Sequence, residues 1–244
     1  MKRILTLVLT VLLALPVAAN AADLLIAQAA NFTPAMQEII PAFKKATGLE
    51  VQATYTSTGK LYAQITNGAP FDVFLAADEK RPKKLYAAGL AEKPFVYAKG
   101  KVVFWSLKKE IGSTPWQKAV INPDLHKIAI ANIETAPYGT AAMKALQKVK
   151  LWKKVKPELV YAQSIAQAFQ YAATGAADAG FCAYSSVFTT EGRKGTFTVV
   201  NEAPPVIQAA CILDSSEHKD VAQKFVKFLA SPEVKTIKNK YGYE

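Results

Sequence analysis

From residue 24 onward, apolar runs of strand length alternate with segments whose apolar positions recur every three or four residues. That alternation is the mark of an α/β fold with largely parallel strands. Residues 24–30 read as the first strand. Met36, Ile39, Ile40 and Phe43 follow at i, i+3, i+4 and i+7, one face of a helix. Pro34 suits the first turn of that helix and Gly48 the position past its end. Pro41 conflicts with the pattern, because an interior proline removes a hydrogen bond, so a bend or a two-piece helix is predicted there. Residues 51–56 read as a strand and 59–66 as a short helix. Residues 72–77 (DVFLAA) form a nearly continuous apolar strand, as in a sheet covered on both faces. Asp78 is placed to cap a helix ending near Gly89.

After Gly89 the punctuation changes, with a strand predicted over 101–107 and a loop region over 110–124. The alternation then restarts: strands over 127–132, 158–163 and 178–184, with helices over 139–149 and 165–174 between them. Strands at 196–200 and 206–213 flank Pro204 and Pro205, and a helix carrying Val221, Phe225, Phe228 and Leu229 precedes a basic helix from Pro232. Two α/β units result, the first made of 22–96 plus 203–244 and the second of 97–202. Crossings near 93–98 and 200–206 would give a hinge and a cleft.

At four places an apolar run ends in small polar residues and a helix opens at once: Ala30-Asn31-Phe32-Thr33, Ser57-Thr58-Gly59, Pro137-Tyr138-Gly139-Thr140 and Gln163-Ser164-Ile165. Helix starts present N–H groups without intrahelical partners and the positive end of the dipole. Two such starts from each lobe, aimed at one cleft, make an anion trap that needs no Lys or Arg. In open α/β sheets ligands sit beyond the carboxyl ends of the strands, where these junctions fall. Ser57, Thr58 and Tyr138 add hydroxyl donors and Asn31 an amide.

Lys2 and Arg3 precede an apolar run from 4 to 15, and Ala19-Asn20-Ala21 is a small-residue cleavage motif. A secretory signal over 1–21 is expected, cleaved after Ala21, with an uncleaved anchor as the alternative. No cysteine follows the run, which argues against a lipid anchor. The remaining roughly 220 residues suffice for two lobes with cores of their own, and the expected product is soluble and exported. The formal net charge is +11, but the lysines are scattered and accompany no nucleic-acid signature. No nucleic-acid partner is expected, only mild attraction of small anions. Cys182 and Cys211 sit in apolar strand-like runs; export permits a disulfide, and two buried thiols fit the same pattern.

Enzyme readings find little support. His126 and His218 adjoin no obvious Ser, Cys or carboxylate partner in sequence, and neither G-x-S-x-G nor H-E-x-x-H occurs. Asp72 reads as a strand-start hydrogen bonder, and the Cys and His spacing offers no zinc site. Ser57, Thr58 and Thr33 also suit the plain role of helix caps, and Tyr138 that of a packed aromatic. No catalytic residue, no metal site and no cofactor is expected.

The stretches AQAANFTPAMQEI, TSTGKLYAQITNGAPFDVFLAAD, ANIETAPYGTAAMKAL, DAGFCAYSSV and SPEVKTIKNKYGY together resemble the periplasmic molybdate-binding proteins of ABC transporters, within the bilobal substrate-binding proteins. The resemblance implies a two-lobed, type II α/β fold with two mixed sheets. It further implies molybdate or tungstate as ligand and a membrane permease of an ABC transporter as partner. Its ligand contacts fall on Ala30, Asn31, Ser57, Thr58 and Tyr138, and on Ile165 through the backbone. One branch of the family has serine where Asn31 stands and a contacting tyrosine near the end of the Phe181 strand. Here Tyr184 is one residue displaced from that place, and Tyr138 supplies the phenol instead. The resulting expectation is a monomeric periplasmic receptor; the alternatives are a receptor for sulfate or phosphate, or an exported hydrolase.

Overall fold

The computed structural model describes residues 22–112 and 114–244, so the signal expected at 1–21 lies outside the described residues. The first lobe opens with β1 (Leu24–Ala29), a 3-10 turn over Ala30–Phe32, α1 (Thr33–Thr47), β2 (Val51–Thr56), α2 (Thr58–Thr66), β3 (Val73–Leu75), α3 (Lys80–Ala87) and β4 (Phe95–Gly100). The second lobe contains β5 (Val102–Ser106), α4 (Lys109–Gly112), α5 (Trp116–Ala119), β6 (Ile128–Ala131), α6 (Pro137–Lys148), α7 (Trp152–Val155), β7 (Leu159–Ala162), α8 (Ile165–Ala173), β8 (Ala179–Ala183) and β9 (Thr196–Val199). The chain then returns to the first lobe as β10 (Val206–Ile212), α9 (Lys219–Leu229) and α10 (Pro232–Lys240).

Each lobe is built on a five-stranded mixed sheet, in the orders β2-β1-β3-β10-β4 and β7-β6-β8-β5-β9. In the first, β1 runs parallel to β2 and β3, whereas β10 is antiparallel to β3 and β4. In the second, β6 runs parallel to β7 and β8, whereas β5 is antiparallel to β8 and β9. The lobes thus repeat one plan: a parallel trio whose carboxyl ends face the cleft, and a crossing strand laid against it. The central strands are apolar because helices cover both faces; β5, β6 and β8 are buried at every position. Apolar faces of α1 and α9 close one side of the first sheet, with Phe43 and Phe225 in edge contact at 5.3 Å between ring centroids.

Three local expectations are corrected. α1 is a single helix through Pro41, not two pieces. Pro41 and Gln37, whose carbonyl loses its partner, both lie on the exposed face, where water can satisfy that carbonyl. The strand predicted over 101–107 is β5; the strand before it, β4, had no counterpart in the sequence reading and belongs to the other sheet, the two meeting at Lys101. A boundary at 96/97 would fall inside β4; the chain passes between sheets at Lys101 and returns between Val199 and Val206. The loop expected over 110–124 contains the one-turn helices α4 and α5, with Trp116 buried and its indole N–H donating to Glu202 Oε2 at 2.6 Å.

Cys182 lies on β8 and Cys211 on β10, in separate sheets, and both are buried free thiols. Burial raises both pKa values, that of Cys211 to about 12, so neither is a reactive thiolate near neutrality.

Candidate functional site

The four junctions converge. Beyond the carboxyl end of β1, Ala30 and Asn31 turn toward the second lobe; beyond β2, Ser57 is the N-cap of α2. From the other side come the starts of α6 and α8. A small cavity lies between them, lined from the first lobe by Ala29, Ala30, Asn31, Thr56, Ser57, Thr58 and Ala77. Ala136, Pro137, Tyr138 and Ile165 line it from the second. All six residues singled out from the sequence are among these, and no lining residue carries a charge.

The capping alternative fails for Ser57. Its side chain makes no cap bond, and its Oγ is buried without a hydrogen-bond partner among the described residues. A buried, unpaired hydroxyl is costly, which marks it as a group awaiting a partner. Thr58 Oγ1 accepts from the Ala77 N–H at 2.9 Å, so its own proton remains to donate. Thr33 Oγ1 donates back to the Ala30 carbonyl at 2.9 Å, and Thr33 does not cap α1. Ser164, by contrast, is a true cap, accepting from Gln167 N–H at 3.2 Å, and it fixes the start of α8 at Ile165.

Asn31 and Tyr138 belong to a buried polar network behind the cavity. Asn31 Nδ2 donates to Gln208 Oε1 at 2.7 Å and to the Tyr243 hydroxyl at 3.1 Å, and stands 3.5 Å from the Tyr138 hydroxyl. The Asn31 carbonyl accepts from Tyr243 at 2.7 Å and from Ser185 Oγ of the other lobe at 2.8 Å. Asn31 Oδ1 has no partner among the described residues. The Tyr138 hydroxyl sits where a Cβ at position 100 would come within 1.9 Å, so Gly100 is required at the crossing. Burial pushes the Tyr138 pKa well above its ordinary value, and the neighbouring phenols of Tyr243 and Tyr97 push the same way. The phenol therefore keeps its proton and stays a donor.

Sequence reasoning missed Gln208, Tyr243, Tyr97 and Ser185. A signal existed for Gln208: it is a lone amide inside the apolar strand VIQAACI, fully buried. Tyr184 does not line the cavity; its ring packs edge-on against Phe188 at 4.9 Å. The expectation that neither histidine meets a partner is corrected for His218, whose Nδ1 lies 3.3 Å from Asp72 Oδ1. Ser216 donates to the same oxygen at 2.6 Å, and Asp72 Oδ2 accepts from the Leu25 N–H at 2.7 Å. Serine and histidine thus both point to one carboxylate, which ties the start of α9 to β1, and no Ser–His relay is formed.

Asp78 is not the N-cap of α3, which is Glu79, but from one residue upstream it accepts from the Arg81 N–H at 2.9 Å and pairs with the Arg81 guanidinium. Across the cleft rim, Gly59 N–H donates to the Thr135 carbonyl at 2.8 Å and Arg81 Nη2 to the Glu134 carbonyl at 2.9 Å. Lys60 Nζ donates to Gln163 Oε1 at 2.5 Å. The two lobes therefore meet over the cavity. A groove outside it is bordered by Lys80, Lys83 and Lys144 together with Glu79 and Glu134.

Residues 24–244 match the family of bacterial extracellular solute-binding proteins. The molybdate-binding protein ModA of Rhodobacter capsulatus is 41% identical over 233 residues, covering 95% of this chain and 91% of that protein. The protein of the same name from Azotobacter vinelandii is 42% identical over 232 residues, covering 93% and 91%. The solved periplasmic molybdate-binding protein of Azotobacter vinelandii superposes with a TM-score of 0.85 at 35% identity, covering 91% of this chain and 98% of that one. Its likeness extends to the bilobal type II arrangement of two mixed sheets. The chain belongs to the bacterial extracellular solute-binding protein family.

Proposed function

We propose that this protein is a periplasmic receptor that captures molybdate, and tungstate as well, between its lobes and hands it to the permease of an ABC transporter. The observation that carries the reading is the cavity: six residues from four strand–helix junctions, two from each lobe, with a buried Ser57 hydroxyl that has no partner among the described residues and no charged lining. Relatives above 40% identity bear the name molybdate-binding protein. Molybdate and tungstate are dianions without a proton near neutral pH, so they only accept hydrogen bonds. A lining of hydroxyls and helix-start N–H groups without a carboxylate suits such a ligand. Each charge-assisted bond contributes roughly 1.5–3 kcal/mol net. Several together support tight binding after the ordering costs.

In this reading the protein is a monomer and not an enzyme, and it works alone with its anion and its permease. The lobes that close are taken as residues 22–100 with 203–244, and 101–202, joined at Lys101 and near Val200. Export through a cleaved signal over 1–21 accounts for the compartment.

Melting temperature tests the proposal, because a ligand that binds only the folded state stabilises it. At 100-fold excess over Kd, molybdate and tungstate should each raise Tm by about 5–10 °C. Sulfate and phosphate at the same concentration should raise it less. Unchanged melting with all four anions would sink the reading.

A further inference from the structure

Gly59 stands at the second position of α2, where glycine is a poor choice for the helix itself. Its φ is not positive, so the local backbone makes no demand for glycine. The demand comes from the other lobe. A Cβ at this position would lie 2.9 Å from both Cα and Cβ of Thr135 and 3.0 Å from Arg81 Nη2. The Arg81 guanidinium ends a flexible side chain of the same lobe and can move aside; the Thr135 backbone across the cleft cannot do so cheaply. The Gly59 N–H itself is spent on the Thr135 carbonyl at 2.8 Å and so is not offered to the cavity. Flanking it, Arg81 and Lys60 make their own bonds to Glu134 and Gln163 of the second lobe.

We propose that Gly59 is a positioning residue for ligand capture: the lobes seal over the anion only because this position has no side chain. The inference rests on the receptor reading above. It separates two states cleanly. With the lobes apart, nothing of the first lobe except the movable Arg81 guanidinium is among the closest neighbours of a Cβ at 59, and α2 gains from losing a glycine. With the lobes together, the same Cβ overlaps the second lobe.

The test uses the mature full chain as wild type, Gly59→Ala and Gly59→Leu. Molybdate affinity is measured by calorimetry, dissociation by stopped flow, compaction by small-angle scattering and ligand-free stability by melting. Gly59→Ala should weaken binding about 10-fold and Gly59→Leu by clearly more. The loss should appear mainly as faster dissociation, with anion-induced compaction reduced and the ligand-free Tm unchanged or raised. Adding Thr135→Gly to Gly59→Ala removes one of the two overlapping atoms and should restore part of the affinity. Wild-type affinity and compaction in both single variants overturn the proposal. So does a fall in ligand-free Tm large enough to account for the lost binding. A wild-type protein that binds none of the anions overturns the receptor reading and this inference with it.

Discussion

Ser57 and Thr58 are neighbours with opposite hydrogen-bond accounts, and substitutions at them should separate. Ser57 Oγ is buried with no partner among the described residues, so its desolvation is uncompensated there. Ser57→Ala should leave ligand-free stability unchanged or slightly raised while weakening molybdate about 10-fold, read by urea denaturation beside calorimetry. Thr58 Oγ1 is the acceptor for the Ala77 N–H. Thr58→Val strands that buried N–H, so ligand-free stability should fall by about 1–3 kcal/mol in addition to the loss of affinity. Equal stability losses in the two variants would contradict this division. Asn31 carries the same lesson in another form: its amide was legible as a cleft residue, but its two N–H groups are held by Gln208 and Tyr243, residues 177 and 212 positions away. No local pattern encodes a partner at that separation.

At the level of elements, helix starts are what aim the site, and they were legible because their chemistry is local. A small polar residue at the end of an apolar run, followed by a helical period, marks both the strand end and the helix dipole. Ser164 shows how one side chain sets an element: it caps α8 through Gln167 N–H and so holds Ile165 at the cavity. Ser164→Ala should cost about 1 kcal/mol of stability and lower anion affinity without touching the ligand. Thermal melting with and without molybdate measures both effects; an unchanged Tm would remove the cap from the account. The point where the chain leaves the first sheet was illegible for an equally physical reason. Residues 95–106 are extended on both sides of Lys101, and an extended chain looks the same whichever sheet its N–H and C=O groups bond to.

For the molecule as a whole, the cavity contains one titratable lining group, Tyr138, and its pKa is displaced upward by burial first and by the phenols of Tyr243 and Tyr97 next. Molybdate affinity should therefore be flat between pH 6 and 9, apart from any change in the anion itself. Stability should behave differently at high pH. Burial raises the pKa values of Tyr97, Tyr138 and Tyr243 alike. A raised folded-state pKa contributes stability that is complete below the unfolded value and is lost as pH rises past it. The fold should accordingly weaken above about pH 10, where the unfolded chain releases those protons. Urea titrations from pH 7 to 11 check this; stability constant to pH 11 would mean that the phenols ionise freely in the fold. Because the network joins Ser185 and Tyr138 of the second lobe to Asn31 of the first, its loss should loosen the lobes together with the site.

The alternation of strands and helices, the two-unit organisation and the four helix starts at the cleft were written in the chain itself, because hydrophobic period, helix capping and proline or glycine punctuation act over a few residues. Only the folded molecule decided which sheet each extended segment joined, which hydroxyl stayed unpaired and which amide was already engaged. It also decided that Gly59 meets Thr135 across the cleft, a contact between positions 76 residues apart that exists only when two lobes touch. Such pairings are set by the packing of complete layers against one another, and no short window of sequence contains both partners.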